Sequence, residues 1–451
     1  MLRRMSDNAN AIKLAALTIV IYVAAATVGL RLFYYLAYVL GAVLIASWAW
    51  TKLNRRGLEV RREVTPTQAQ VGQVIRETIE LRNLSWVRKL WIEVRDQSSL
   101  PGHHVGAVVT LPGRKAKRWQ VRTRCIHRGL YRLGPTVVLT GDPFGLFQSS
   151  EVLEGRGEIL VFPPTVPLSQ FALPSGELPG GLRTERRAFH STPNAVGIRE
   201  YTPGDPVNRI HWPVSARNQK LMVKEFELDP TSDLWLVLDL QEEVHVSALE
   251  DEAEPGDASR QAYIRRRTLN RPDIATGDGT GYDEPLALDP TTEEYAVTIA
   301  ASLAAFFISE GRSVGLIAWG QHHVTIPADR GGRQLLKILR ALAVLRAEGT
   351  IPLGGVLSSE SRSFGKQDTV LVITPSVDDQ WVNALRVEML RIASAAAVVV
   401  EPSTFGGKDN ALMLVSSLTA INVPSFLVKR DDSLNAALAQ QYGGKAVRNL
   451  R

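Results

Sequence analysis

The chain has 451 residues, 45% of them hydrophobic, with 52 lysines and arginines against 46 aspartates and glutamates. That length exceeds one ordinary domain and leaves apolar material for two or three folded units. Cys125 is the one cysteine, which excludes an intramolecular disulfide and a thiolate-rich metal site, and a net charge of +6 is small per residue, so its placement matters more than its size.

Leu14–Leu30 and Leu32–Trp50 carry no charged side chain and only Arg31 separates them. Runs of ~17–19 apolar residues are enough to cross a ~30 Å hydrocarbon layer as helices. Two spans in a hairpin are therefore expected within residues 1–57, in preference to one buried core helix or a cleaved signal peptide, whose apolar part is shorter. Arg3, Arg4 and Lys13 precede the hairpin and Lys52, Arg55, Arg56, Arg61 and Arg62 follow it, which places both termini on the cytoplasmic side.

Residues 58–165 change to short alternating runs. Val74–Asn83, Leu90–Asp96, Ala107–Leu111, Lys117–Arg124 and Thr136–Thr140 read as strands between turn signals such as Leu111-Pro112-Gly113 and Gly141-Asp142-Pro143. This spacing predicts an antiparallel sandwich of immunoglobulin-like size. Its positive charge (Arg114, Lys115, Lys117, Arg118, Arg122, Arg124, Arg128, Arg132) lacks the interleaved aromatics of a nucleic-acid platform, and attraction to anionic headgroups accounts for it more simply. Phe144 and Phe147 are expected to plug the end of the sandwich. His103-His104 and His322-His323 lack a second ligand cluster and read as surface loop histidines.

A Gly/Pro-rich linker, 166–196, leads to Gly197–Glu227, which has neither strand nor helix periodicity but crowds both charges and two large aromatics together. In this stretch, 197–232, Asp205 can cap backbone amides, Arg199, Arg209 and Arg217 can grip carboxylates, and Trp212 is expected to bury against a domain face. From 233 onward, Leu234–Leu240, Ser313–Trp319, Thr369–Ile373, Ala396–Val400 and Ser425–Val428 read as buried parallel strands. Helical patterns lie between them at Glu293–Glu310, Arg333–Leu345, Asp378–Ser394 and Ser433–Tyr442. Alternation of this kind predicts a doubly wound α/β sheet, with 242–291 as a disordered insertion. Asp239, near the end of the first strand, stands where ligands sit in such sheets.

The assembled features resemble the bacterial family called domain of unknown function 58: a transmembrane hairpin, a β-rich module containing RGLYRLGP and DPFGLF, and the core REYTPGDPVNRIHWPVSAR. The resemblance implies a von Willebrand factor type A-like fold for 233–451, residence in the inner membrane, and service as a membrane-tethered adaptor for a cytosolic partner, a MoxR-type AAA+ ATPase. Arg199, Glu200, Tyr201, Pro203, Gly204, Asp205, Arg209, His211, Trp212, Ser215 and Arg217 are the motif positions, read as an inter-domain clamp or a docking surface. The type A fold binds Mg²⁺ through Asp-x-Ser-x-Ser. This chain keeps Asp239 but has Gln241 and Glu243 at the serine positions, with Ser376 and Asp378 after a later strand, so no cofactor is expected and Asp239 is the residual metal candidate.

A non-enzymatic scaffold that binds the lipid bilayer and a protein, without nucleic acid or small molecule, is the expected function. One alternative is a hydrolase using Glu200, Asp205 and His211, although no nucleophile elbow or phosphate-binding loop accompanies them. The other is a nucleic-acid-binding membrane protein acting through the basic β module.

Overall fold

The computed structural model describes residues 9–153, 155, 157–171, 195–201, 210–226, 233–248 and 288–442. The chain divides into two compact units, the first built on the residues up to Pro164 and the second on those from Thr165.

The first unit opens with helices α1 (Ala9–Val28) and α2 (Arg31–Arg55), turned about Gly29 at a positive φ of 76°. They pack together, with Tyr22 edge-on to Tyr34 at 5.9 Å. Both are long and apolar enough to cross a membrane. Ile19, Leu32 and Ile45 are 63–73% exposed, the opposite of what a core helix would show.

Ten strands follow: β1 (Leu58–Thr65), β2 (Gln68–Gln70), β3 (Val74–Asn83), β4 (Lys89–Asp96), β5 (Ala107–Leu111), β6 (Ala116–Arg124), β7 (Gly129–Leu133), β8 (Thr136–Gly141), β9 (Gln148–Leu153) and β10 (Gly157–Phe162). They form sheets ordered β1-β3-β6, β5-β4-β8-β9 and β2-β10-β7. Val60 and Leu81 from the first sheet interdigitate with Ile92, Val94, Val109 and Val138 from the second. β1 was not expected as a strand. Its charged LEVRREVT run is stabilised by eight register pairs with β3, which outweigh a weak local propensity.

The end of α2 is built into this unit. Lys89, fully buried at the start of β4, donates from Nζ to the carbonyls of Leu53 (2.7 Å) and Arg56 (2.8 Å), two acceptors that a helix C-terminus leaves open. Burial lowers the Lys89 ammonium from its usual range while Glu151 draws it back up. Asn54 is also buried, and α2 lies against β8 and β9.

The interior contains a polar quartet that the surface reading of His103 missed. The side chains of Arg62, Glu77, Asp96 and His103 are no more than 4% exposed. Arg62 donates to Glu77 from Nε and to Asp96 from Nη1 at 2.7 Å. His103 pairs through Nε2 with the other Glu77 oxygen at 2.6 Å, and through Nδ1 with Thr123 at 2.8 Å. Glu77 shares the core-facing row of β3 with Ile75, Ile79 and Leu81, so its carboxylate has protein partners instead of water. His104, by contrast, is exposed, and Arg128 is buried and is not part of a cationic surface. Phe144 is 66% exposed and plugs nothing, because Asp142 accepts hydrogen bonds from the amides of Phe144 and Phe147 and fixes the turn with the ring outside.

In the second unit β13 (Leu234–Asp239), β14 (Val314–Trp319), β15 (His323–Asp329), β16 (Thr369–Thr374), β17 (Ser394–Val400) and β18 (Ser425–Val428) form one sheet ordered β15-β14-β13-β16-β17-β18. All neighbours are parallel except β15, which runs antiparallel at the edge. Helix α4 (Thr292–Ser309) lies against β13, β14, β16 and β17. Trp235 and Val237 face a separate core filled by Leu353, Trp381, Leu385, Leu414 and Leu418. Helices α6 (Leu353–Ser359), α7 (Gln380–Glu388) and α8 (Leu412–Ala420) supply that core; α3 (Trp212–Asn218), α5 (Gly332–Val344) and α9 (Leu434–Ala439) also belong to the unit. The linker at 172–194 and most of the insertion, 249–287, lie outside the described residues.

Candidate functional site

Two features of the second unit bear on function. The first is the motif, which forms regular elements despite its prolines. β11 (Ala195–Glu200) pairs antiparallel with β12 (Met222–Phe226), setting Arg199 opposite Val223 and Glu200 opposite Met222. The amide of Tyr201 continues the pairing to Leu221. Between the strands, Trp212–Asn218 forms a short helix, α3, with Pro213 in its first turn, where a missing N–H costs nothing. His211 caps it, Nδ1 accepting from the Val214 amide at 3.3 Å, so the helix terminus holds the ring. Ser215, 7% exposed, donates to the His211 carbonyl at 3.0 Å and accepts from the Met222 amide at 2.8 Å, tying α3 to β12.

Trp212 is 62% exposed and not buried against a domain face. Arg217 and Leu221 are exposed as well. Pro203, Gly204, Asp205 and Arg209 lie outside the described residues, as do the side chains of Arg199 and Glu200. Of the proposed hydrolytic trio only the His211 side chain is therefore described.

The second feature is the crevice at the strand ends. Strand order reverses between β14-β13 and β16-β17, and Asp239 ends β13 at that point. Its carboxylate is 3% exposed. Oδ2 accepts from Thr374 Oγ1 at 2.6 Å across to the end of β16, and Oδ1 accepts from the Gln241 amide at 3.1 Å. Thr374 in turn accepts from the Ser376 amide at 2.8 Å. His245 Nε2 donates to the Asp239 carbonyl at 3.0 Å, and Nδ1 meets Thr292 Oγ1 at 3.1 Å. Burial pushes the Asp239 carboxyl above its usual range, against the opposing pull of His245, Thr374 and Gln241.

This set does not fit Mg²⁺. An octahedral cation needs converging oxygens, whereas Gln241 Nε2 is turned to Glu243 at 3.2 Å and Asp378 caps the Gln380 amide at 3.0 Å. No group of three acidic, histidine or cysteine side chains gathers at metal-holding distance among the described residues. Thr374 and His245 were not among the sequence candidates. The crevice is thus a polar lock between adjacent strands, and Asp239→Asn, whose Oδ1 still accepts from the Gln241 amide while its Nδ2 donates to the Thr374 hydroxyl in place of accepting from it, carries no buried charge and is expected to leave stability within about 1 kcal/mol. Asp239→Leu strands the Thr374 hydroxyl and the Gln241 amide and is expected to cost about 2–4 kcal/mol. Thermal unfolding of the two variants compares them directly; a more damaging asparagine would contradict the lock.

Residues 197–252 and 284–405, which hold the motif and most of the sheet, match the family described as Protein of unknown function DUF58. Over 362 residues, 77% of each chain, the sequence is 23% identical to the Uncharacterized protein YeaD of Bacillus subtilis (strain 168). Among solved structures, the CARDB domain of the PF1109 protein from Pyrococcus furiosus is similar over 23% of this chain and 91% of that domain, at 16% identity and a TM-score of 0.18. The Pseudomonas fluorescens alkylpurine DNA glycosylase AlkC is similar over 23% of this chain and 30% of its own, at 16% identity and a TM-score of 0.17.

Proposed function

We propose that this chain, whose motif and sheet carry the DUF58 match, is a membrane-anchored adaptor and not an enzyme. In this reading the hairpin holds it in the inner membrane of a bacterial cell with both ends cytoplasmic, and the motif presents a docking surface to a cytosolic protein. A MoxR-type AAA+ ATPase is the partner the family resemblance implies. The observation that carries the reading is Trp212, largely exposed on a helix that His211 and Ser215 brace from beneath. A rigid aromatic held outward is the kind of residue that often anchors protein interfaces, and arginine, present on the same helix as Arg217, is another. The sheet order with its antiparallel edge, and Asp239 at the reversal point, support a von Willebrand factor A-like reading of this unit. The β unit is read as immunoglobulin-like.

Affinity capture from detergent-solubilised membranes tests the proposal. Trp212→Ala and Arg217→Ala are expected to keep the wild-type melting temperature, as exposed positions do, while losing an AAA+ ATPase that the wild type retains. A fall in melting temperature with no ATPase recovered by any form would make the motif purely architectural.

A further inference from the structure

The strand register places three turns of the β unit at the end where α2 enters. Leu58 lies opposite Asn83, Lys89 opposite Leu111, Arg82 opposite Ala116, and Gly141 opposite Gln148. β4 and β8 run antiparallel with Ile92 opposite Thr140, which brings the end of β8 to the start of β4. The turns 84–88, 112–115 and 142–147 are therefore neighbours of the α2 terminus. The amide of Leu84 also donates directly to the Gly57 carbonyl at 2.7 Å.

Two of these turns carry exposed aromatic tips. Trp86 is 85% exposed and Phe144 is 66% exposed, with Leu84 at 57% and Leu53 at 50% beside them. None is a loose loop. Buried Asn83 donates to the carbonyls of Val87 (2.9 Å) and Pro112 (3.1 Å), stapling the first two turns together. Their backbones touch so closely that a Cβ on Gly113 would lie 2.1 Å from the Trp86 oxygen. Lys52, Arg56, Arg88, Arg114 and Lys115 are exposed around them, and Lys52–Gly57, Leu84–Leu90 and Leu111–Arg118 contain no aspartate or glutamate.

Outward aromatics ringed by cations have the composition of a lipid-water boundary. Depth agrees. Lys89 grips the Leu53 carbonyl, three residues past the end of the apolar run at Trp50, which is about 4.5 Å of helix. A headgroup layer is on the order of 5–7 Å thick. We propose that the Trp86 and Phe144 turns, with Arg88, Arg114 and Lys115, form a second membrane-binding element that seats in the anionic headgroup layer of the bilayer the hairpin crosses. The inference rests on the membrane reading above. It also divides the positive charge: Arg122 and Arg124 stand at the other end of β6, about 20–27 Å further away, well past a Debye length of about 8 Å, and take no part.

The test uses the full chain in nanodiscs of anionic lipid, with an environment-sensitive fluorophore on Trp86→Cys, Phe144→Cys, Ile19→Cys or His104→Cys. Native Cys125 does not compete, because it is buried and burial pushes its thiol up to about 12. Blue-shifted emission and quenching by brominated acyl chains at positions 86 and 144, absent at 104, is the expected result. Adding Arg88→Gln, Arg114→Gln and Lys115→Gln together should reduce that quenching. Quenching at 19 with none at 86 and 144 overturns the proposal while the hairpin still spans. If 19 is not quenched either, the membrane reading fails and the proposal falls with it.

Discussion

Glu77→Ala is expected to destabilise the β unit by about 3–5 kcal/mol, the cost of stranding a buried charge by removing its partner. Glu77 is the hub of the quartet, with one oxygen on Arg62 and the other on His103, at 0% side-chain exposure. Without it the guanidinium keeps Asp96 as its acidic partner, with the hydroxyls of Thr136 and Ser98 at 3.4 Å, and the imidazole keeps Thr123 and a distant Asp96 oxygen at 3.7 Å. Burial alone would raise the Glu77 carboxyl, but hydrogen bonds from His103 and Arg62 outweigh it and the net direction is down from 4.5. A depressed carboxyl stabilises the fold above its unfolded value and ceases to as pH falls through the folded one. The wild type should therefore lose stability most steeply below pH 4.5, and Glu77→Gln should be less stable at neutral pH but flatter in that window. Melting temperatures of the full chain in detergent across acid pH measure both; parallel curves for the two proteins would show that Glu77 carries none of the acid dependence.

Lys89→Met is expected to cost about 2–4 kcal/mol, because it keeps the apolar stem but leaves the Leu53 and Arg56 carbonyls without their charged donor. Relief of the ammonium's own desolvation offsets part of this loss, which keeps the figure below that for Glu77. The damage should be local to the joint. Trypsin cleavage at Lys52, Arg55 and Arg56 should accelerate well before the rest of the β unit opens, since helix ends released from their partners fray first. Unchanged cleavage there would mean that contacts with β8 and β9 hold α2 without the lysine.

The parts of the fold legible in the sequence were those whose burial is complete. β13, β14, β16, β17 and β18 fall on uninterrupted apolar runs, and their observed ends differ from the expected ones by two residues at most. β15 escaped because an edge strand, HVTIPAD with Pro327, shows one face to water and has no apolar run. Short α6 and α8 have too few turns for a period to emerge. The motif misled in the opposite direction: a stretch without strand or helix period holds a short helix with Pro213 in its first turn, and an aromatic expected to be buried is exposed at Trp212.

His103 and Thr374 were missed for a shared reason. What each does depends on a residue brought beside it by sheet pairing, and spacing along the chain does not show which strands become neighbours. For Glu77 there was a local signal. A carboxylate at the second place of the row Ile75, Glu77, Ile79, Leu81 breaks a core-facing alternation, and such a break requires a buried partner.

Lys89 also has a mechanical consequence. With α2 gripped by β4, and only Arg56 and Gly57 between helix and first strand, the β unit has no swivel at its root. A helix that leans in its bilayer carries the unit with it as a lever. For strands about 27 Å long, a lean of about 20°, common when apolar length and bilayer thickness differ, swings the far tip sideways by roughly 9 Å. Membrane thickness would thereby be converted into the position of that tip.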